Sequence, residues 1–296
     1  MVVYICPMYS RSRLAQKYLR YYFTASNGRG HGIHSPFVYA FVKNILNDSR
    51  PFPAYARVEK MRARLLKDRR RLEIEDLGAG SVLGSGSALS SGSALGIRSV
   101  PGDGSTFDRA KYRSVSQLAR YAAKPRRLGQ LLFRIAHYYQ PRTILELGTS
   151  LGLSTAYMGY AAPAARLLTI EGAPAIAREA EKNFREQGLE NIELVTGNFD
   201  EWLPAVLKKM PRVDLAFIDG NHRMEPTLHY FNLLMERAAT PAVLIFDDIH
   251  WSGEMEQAWE TIKQDPRVML TVDLFFIGLV FLRNEYKVKQ DFVIRY

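Results

Sequence analysis

Two acidic strand ends in the C-terminal half carry the residues best suited to chemistry. One apolar segment ends at Asp219, with His222 three residues later, and another ends at Asp247 and Asp248. Because neighbouring strands of a parallel sheet end at the same edge, the three carboxylates could together hold a hard cation such as Mg²⁺. A histidine can accept a hydroxyl proton near neutral pH, which makes His222 a candidate general base. The alternative is structural: the two adjacent acids cap the next turn, and His222 forms a local hydrogen bond.

A glycine loop follows a third apolar segment. The segment Thr143-Ile144-Leu145-Glu146-Leu147 runs directly into Gly148-Thr149-Ser150-Leu151-Gly152. The two glycines allow a sharp turn and a close approach to a ligand, and the next helix begins there with free N–H groups. The spacing Gly-x-x-x-Gly, together with Glu146 before it, argues against a pyrophosphate-containing dinucleotide. An acid at this position suits a cofactor that has positive groups and no phosphate, such as S-adenosylmethionine.

Two later strand ends complete a cofactor pattern. Glu171 ends the second strand and is followed by Gly172, and a carboxylate there can accept hydrogen bonds from both ribose hydroxyls. The third strand ends in a polar turn where Asn198 could meet the adenine amine. The alternative is a doubly wound domain with an unrelated ligand. A second acid-plus-glycine run, 75–80, lacks the strand-loop-helix context and is assigned to the N-terminal extension.

The elements that position these residues alternate along the C-terminal half. Predicted strands are 143–147, 166–170, 192–195, 213–218, 242–247, 268–274 and 276–282, and predicted helices lie near 152–161, 174–187, 200–209, 226–238 and 253–264. Five strand-helix units indicate a mostly parallel sheet with helices on both faces. The last two strands are too close for a crossover helix, so they predict a hairpin and one antiparallel strand.

The N-terminal part has a different character. Helices are predicted at 11–25, 36–47, 54–72, 107–123 and 127–139, with Ser35 as an N-cap before Pro36 and with Arg69–Arg71 closing the third. Residues 77–105 are rich in Gly and Ser and indicate a flexible linker or loop. We therefore predict a mainly helical extension over 1–125 and a cofactor-binding domain over 126–296.

Composition and charge restrict the class of protein. The chain has 296 residues, no apolar stretch of the roughly 20 residues that span a bilayer, and one cysteine, Cys6. With no targeting segment apparent, we expect a cytoplasmic protein. The net charge of +10 arises from the extension, where residues 1–125 carry 21 Lys and Arg against 8 Asp and Glu. Such an excess can attract nucleic acid or an acidic substrate, or it can be a set of solvated helix faces.

Four motifs together resemble a known family. In order along the chain they are ILELGTSLGLSTAYM, LLTIEG, VDLAFIDGNH and VLIFDDIHW. They are similar to the Rossmann-fold S-adenosylmethionine-dependent methyltransferases, and most to the catechol O-methyltransferase-like group, over about 142–283. The extension, with GIHSPFVY and EDLGAGS, resembles that of uncharacterised methyltransferases of Bacteroidetes.

This resemblance implies a fold and a set of site residues. The fold is α/β, a seven-stranded doubly wound sheet of order 3-2-1-4-5-7-6 with strand 7 antiparallel. Cofactor-binding residues would be Glu146, Gly148, Thr149, Ser150, Gly152, Glu171, Gly172, Asn198, Phe199 and Asp219. The metal ligands of the catechol group match Asp219, Asp247 and Asp248, the last replacing an Asn. His222 stands where that group has a lysine base, so Asp219 and His222 are the predicted catalytic residues.

The predicted activity is methyl transfer to the hydroxyl of a small molecule, with Mg²⁺ as an optional aid. One alternative is an RNA methyltransferase that uses the basic extension for phosphate contacts. Another is a protein that binds S-adenosylmethionine without turnover. A homodimer is left open.

Several other residues have open roles. Arg223 could neutralise nearby acids, and His250 and Trp251 could line an acceptor pocket. For His31 and His34, capping or packing competes with a role at the site.

Overall fold

The structure is a computed structural model that describes residues 8–74, 112–210 and 212–296. The Gly- and Ser-rich stretch 77–105 and the acid-plus-glycine run 75–80 lie outside the described residues, so the predictions made for them stay predictions. Among the described residues, none of the helices is both long and apolar enough to cross a membrane.

A central sheet organises the chain. Its strands are β3 (Thr143–Leu147), β4 (Arg166–Glu171), β5 (Ile192–Thr196), β6 (Val213–Ile218), β7 (Ala238–Asp247), β8 (Leu270–Asp273), β9 (Ile277–Leu282) and β10 (Gln290–Val293). Their order is β10-β8-β9-β7-β6-β3-β4-β5, and β9 runs antiparallel to both of its neighbours. The strands from β5 to β7 are parallel, and their order reverses at β3: β4 and β5 lie on one side of it, and β6 and β7 lie on the other. The ends of β3 and β6 therefore meet at the switch point where such sheets bind ligands.

The predicted number of seven strands is wrong by one. The additional strand, β10, pairs in parallel with β8 and lies at the edge of the sheet. Its four residues alternate between half-buried and exposed positions, and two of them, Gln290 and Asp291, are polar. The hydroxyl of Thr271 in β8 donates a hydrogen bond of 2.6 Å to Oδ1 of Asp291. A short polar segment gives little apolar signal, and pairing with β8 is what makes it a strand.

Helices cover both faces of the sheet. They are α5 (Arg126–Tyr139), α6 (Leu153–Ala161), α7 (Pro174–Gln187), α8 (Phe199–Lys209), α9 (Met224–Met235) and α10 (Gly253–Gln264). Neighbouring residues of β3 face opposite sides: Ile144 packs in one buried apolar cluster and Leu145 in another. The central strand is buried at every position, as expected for a parallel strand covered on both faces.

The N-terminal residues form helices that pack onto the same core. They comprise α1 (Arg11–Thr24), α2 (Pro36–Phe41) continued by a π-helical turn (Val42–Leu46), α3 (Pro53–Leu65), the short strands β1 (Arg71–Glu73) and β2 (Tyr112–Ser114), and α4 (Val115–Tyr121). Val38, Val58 and Leu118 share one apolar cluster with Ile144. The Tyr21 hydroxyl donates to the carbonyl of Ile294, so α1 is tied to the C-terminal end of the chain.

Two predicted helices of the extension have wrong bounds. Residues Tyr112–Ser114, which were predicted to lie within the helix 107–123, form the strand β2, and α4 begins only at Val115. The third helix ends at Leu65, and the arginine run does not close it, because Arg71 begins a strand that pairs antiparallel with β2. Arg70 instead forms ion pairs with Asp68 and Glu179. Ser35 occupies the N-cap position before Pro36, yet its side chain makes no capping hydrogen bond.

Candidate functional site

The glycine loop between β3 and α6 is shaped by close contacts that exclude side chains. Gly148 has φ of +100°, and a Cβ built there would lie 2.0 Å from the carbonyl oxygen of Asp219. Gly152 has φ of +81° at the N-cap of α6, and its Cβ would lie 2.4 Å from the ring of Phe184. Both positions therefore require glycine, and Gly148 brings the loop against the end of β6.

Glu146 is fully buried at the end of β3. Its Oε1 accepts a hydrogen bond from Ser154, and its Oε2 accepts hydrogen bonds from Thr155 and Thr169. Burial raises the pKa of Glu146 to about 7, although the three hydroxyls favour the charged form. Both carboxylate oxygens are engaged with the start of α6 and with β4. The structure therefore places this residue as a buried anchor of the loop.

Glu171 ends β4 beside the same loop. Its Oε2 accepts a hydrogen bond of 2.8 Å from the backbone N–H of Ser150, and its Oε1 accepts one of 3.0 Å from Ala173. Burial raises the pKa of Glu171 above its ordinary value. The next residue, Gly172, has open space beside it, since an added Cβ would meet no atom within 4 Å. Glu171 thus supports the loop and borders free volume.

The turn after β5 reaches the end of β6. Asn198 is the N-cap of α8, and its side chain accepts a hydrogen bond of 2.9 Å from the N–H of Asp200. Phe199 is buried and packs so closely on Gly220 that a Cβ there would lie 2.6 Å from its ring. The predicted adenine-side residues are therefore held by a helix cap and by packing against the segment that follows Asp219.

A lysine that sequence reasoning missed joins the acidic strand ends. The Nζ of Lys124 lies 2.9 Å from Oδ1 of Asp219 and forms a second, very short ion pair with Oδ2 of Asp247. Burial alone would lower the pKa of Lys124, but the neighbouring carboxylates raise it well above its usual value. Lys124 is therefore charged, and it lies between the two acids that end β6 and β7.

His222 and Asp248 border this cluster at longer distances. Nε2 of His222 is 3.7 Å from Oδ1 of Asp219 and 4.0 Å from Oδ2 of Asp248. The His222 side chain is 29% exposed, so it can be reached by a ligand. Burial raises the pKa of Asp219 to about 6, against the opposing charge of Lys124. The predicted catalytic pair is thus brought together at the end of β6.

Neither Asp247 nor Asp248 is the N-cap of α10. The N-cap of α10 is Ser252, whose hydroxyl accepts a hydrogen bond from the N–H of Met255. Asp247 is 1% exposed, and its Oδ1 has no hydrogen-bond partner among the described residues. Asp248 has φ of +53° and accepts a backbone hydrogen bond from Trp251 within the turn. The Asp247 side chain therefore faces the Lys124 cluster instead of the helix.

The remaining candidates lie elsewhere. His250 bridges Glu256 and Asp273, at 3.0 Å and 2.8 Å, and stacks on Phe275. Burial alone would lower the pKa of His250, but its two acidic partners raise it. Arg223 donates to Oδ1 of Asn221. His31 and His34 are exposed.

A small cavity connects the loop with the acidic cluster. It is lined by the α4–α5 connection (Ala122–Lys124), by the start of the glycine loop (Gly148–Ser150) and by Asp219, among others. Its volume is about 10 Å³, close to what one water molecule needs, whereas sites for whole small ligands usually measure roughly 300–1,000 Å³. The cavity therefore marks where the loop meets the cluster, and a cofactor would lie on the open side of the loop, toward the free space beside Gly172.

Comparison with known proteins agrees with this geometry. Residues 145–249 match the family described as a methyltransferase domain. A catechol O-methyltransferase from Niastella koreensis is 31% identical over 144 residues, which cover 47% of this chain and 64% of that protein. A transmembrane O-methyltransferase from Propithecus coquereli is 36% identical over 119 residues, which cover 38% of this chain and 43% of that protein. In both cases the chain spans less than two thirds of the relative's length.

A solved structure from Klebsiella pneumoniae supports the fold. It matches with a TM-score of 0.50 and 19% identity over 81% of this chain and 94% of that chain. The α/β fold and the resemblance to Rossmann-fold, S-adenosylmethionine-dependent methyltransferases are thereby confirmed. The likeness of the extension to Bacteroidetes proteins stays a prediction.

Proposed function

We propose that this protein is an enzyme that transfers the methyl group of S-adenosylmethionine to a hydroxyl of a small molecule. The observation that carries the proposal is the shared cavity of the glycine loop and Asp219. The lining of the cavity joins the glycine loop to Lys124 and Asp219, and Nε2 of His222 lies 3.7 Å from Asp219. The match of residues 145–249 to a methyltransferase domain supports it.

The residues present fit the cofactor. At Gly148 a Cβ would strike the carbonyl oxygen of Asp219, so the loop backbone lies directly against the end of β6 with no side chain between them. We infer that the methionine end lies beside the small cavity, along the loop from Gly148 to Gly152 and near Asp219. Beyond it, Glu171 would accept hydrogen bonds from the ribose, in the open space beside Gly172. Asn198 and Phe199 would border the adenine.

The chain's own residues would position and deprotonate the acceptor. When bound, S-adenosylmethionine supplies an electrophilic methyl group on a positively charged sulfur. Transfer of that methyl group to the acceptor oxygen would leave S-adenosylhomocysteine and one proton, which the chain must accept. The hydroxyl proton passes to Nε2 of His222, whose new positive charge faces Asp219 and Asp248. Holding oxygen and methyl in line supplies much of the rate gain.

The predicted Mg²⁺ does not fit the cluster as the chain arranges it. The carboxylate oxygens are of the kind this ion prefers, and atoms of Asp219, His222 and Asp247 lie within 4.8 Å of one another. The ammonium of Lys124, however, already lies between Asp219 and Asp247. An ammonium and a divalent cation at the same carboxylates repel each other strongly in a buried place. We therefore route no step through a metal.

The other predicted properties stay predictions. They are RNA as an acceptor, binding without turnover, a homodimer and a cytoplasmic location. The basic charge of the extension favours RNA, but ion pairs such as Arg70 with Glu179 neutralise part of that charge within the fold.

Transfer of labelled methyl groups tests the proposal. Purified protein is incubated with methyl-labelled S-adenosylmethionine and a panel of catechols, other phenols and aliphatic alcohols, with total RNA as a separate acceptor. Label on at least one small hydroxylated molecule, and none on RNA, is the expected result. Label on RNA alone, or no label with any acceptor, would overturn the proposal.

A further inference from the structure

The position of Lys124 is fixed by the helices around it. The residue lies between the end of α4 at Tyr121 and Pro125, which precedes α5. Helix α5 is packed tightly on α6, because a Cβ on Gly129 would lie 2.5 Å from the ring of Tyr157. Since α6 itself starts at the glycine loop, the α4–α5 connection and the loop are held in one arrangement. The packing of α5 on α6 therefore fixes Lys124 beside Asp219 and Asp247.

The ion pairs of Lys124 are shielded from solvent. Its side chain is 15% exposed, and those of Asp219 and Asp247 are 12% and 1% exposed. Breaking a buried pair by removing one partner leaves an uncompensated charge, which is strongly unfavourable. The two acids therefore depend on a cation at this place.

The ammonium also has capacity for a further contact. It has three N–H donors, of which one points to Asp219 and one to Asp247. Lys124 lines the same cavity as the glycine loop, so its third donor can reach an oxygen that approaches the methyl group there. A cation beside that oxygen stabilises the negative charge that develops when the hydroxyl proton leaves.

We propose that Lys124 is a built-in cation that replaces a divalent metal, holding Asp219 and Asp247 together and donating a hydrogen bond to the acceptor oxygen. This inference rests on the proposed methyl transfer and specifies how its acidic cluster works. The proton still passes to His222, and the lysine remains protonated throughout. Activity is consequently independent of added or contaminating metal ions.

Metal binding tests the idea without turnover. Mn²⁺ is titrated into the protein and followed by electron paramagnetic resonance, using wild type, Lys124→Ala, the double variant Lys124→Ala with Asp247→Asn, and Lys263→Ala as control. Lys263 forms an ion pair with Glu260 far along α10. We expect wild type and the control to show no site below 1 mM, on the order of the weakest specific cation sites. Lys124→Ala should bind Mn²⁺ at least tenfold more tightly, and the double variant should lose that gain.

Activity and cofactor binding complete the test. Wild-type methyl transfer should be unchanged by EDTA, whereas Lys124→Ala should lose at least 100-fold in kcat while it still binds S-adenosylhomocysteine. Retained binding shows that the variant is folded. A wild type that binds one Mn²⁺ tightly and loses activity with EDTA would overturn the proposal, as would a Lys124→Ala variant that stays active in the presence of EDTA. Failure of the wild type to bind S-adenosylhomocysteine would instead refute the proposed function, and the Mn²⁺ titration does not depend on it.

Discussion

The Cα of Gly148 faces the carbonyl oxygen of Asp219 so closely that a methyl group on the glycine would lie 2.0 Å from that oxygen. The backbone N–H of Asp219 in turn donates to the carbonyl of Leu147 at 2.8 Å. The cofactor loop and the acidic strand end are therefore one rigid unit. A change in either residue's backbone is expected to alter both cofactor binding and chemistry.

Gly148→Ala should show whether the contact with Asp219 matters for cofactor binding, apart from the destabilisation that any alanine with positive φ causes. We expect it to weaken binding of S-adenosylhomocysteine at least 100-fold, because the loop must move away from Asp219. Gly188→Ala is the matched control, since Gly188 also has positive φ, at +65°, but has no atom within 4 Å of an added Cβ. The control should lower the free energy of unfolding by about 1 kcal/mol and leave affinity unchanged. Equal affinities of the two variants in calorimetric titrations would contradict the assigned contact.

Glu146→Gln should change how stability depends on pH. Burial raises the pKa of Glu146 from 4.5 to about 7, so the folded protein holds this proton more tightly than the unfolded chain. The free energy of unfolding of wild type should therefore fall as pH rises through this range, by at most about 3 kcal/mol from this group. Urea unfolding from pH 4.5 to 8 should show that the free energy of unfolding of the variant rises relative to that of wild type as pH rises. Glu193→Gln changes an exposed ion pair with Arg166 and is the control. Its free energy of unfolding should depend on pH in the same way as that of wild type.

His222→Gln tests the proton acceptor. The glutamine keeps polar contacts but cannot take the hydroxyl proton, so we expect kcat to fall about 10²–10⁴-fold with little change in affinity for S-adenosylhomocysteine. His229→Gln, at an exposed position on α9, should retain wild-type kcat. Steady-state kinetics in which His222→Gln keeps full activity would remove this residue from the chemistry.

His250→Gln should loosen the attachment of the N-terminal residues in a pH-dependent way. Burial opposes the charge on His250, but Asp273 and Glu256 raise its pKa, and Glu256 also pairs with Lys17 of α1. Because the folded state holds this proton more tightly, its stabilising effect is complete below the unfolded value of 6.5 and is lost as pH rises through the higher folded value. We expect the substitution to cost about 1–3 kcal/mol at pH 6 and less at pH 8.

Thermal or urea unfolding at the two pH values checks this expectation. His34→Gln changes an exposed histidine and serves as the control, with no loss at either pH. A loss for His250→Gln that is larger at pH 8 than at pH 6 would show that the sign of the linkage is wrong.

The sequence predicted the parts of the molecule that local pattern determines. Buried parallel strands such as β3 are continuous apolar runs, and the glycines at 148 and 152 are required by the backbone itself. Periodicity therefore placed the loop and the acids at strand ends. The short gap between the last two predicted strands also indicated the antiparallel pair β8 and β9.

What the sequence could not predict depends on long-range pairing. Lys124 lies in a helix connection, and nothing in its neighbours indicates a contact with Asp219 and Asp247. The gap between the predicted helices 107–123 and 127–139 indicated a connection there but not where its side chains point. β10 and the β1–β2 pair are short and polar, so only their partners make them strands. The three hydroxyls that donate to Glu146 belong to α6 and β4, so the sequence around Glu146 did not reveal these contacts.

Calorimetric titration of S-adenosylhomocysteine into the purified protein measures whether the glycine loop and Glu171 hold this ligand. We expect one site per chain in wild type and a 10- to 100-fold weaker site in Glu171→Gln, because each hydrogen bond to a buried carboxylate contributes about 1.5–3 kcal/mol. Glu193→Gln on the neighbouring strand should bind like wild type. Absence of binding to wild type, or an affinity that Glu171→Gln leaves unchanged, would contradict this placement of the ligand.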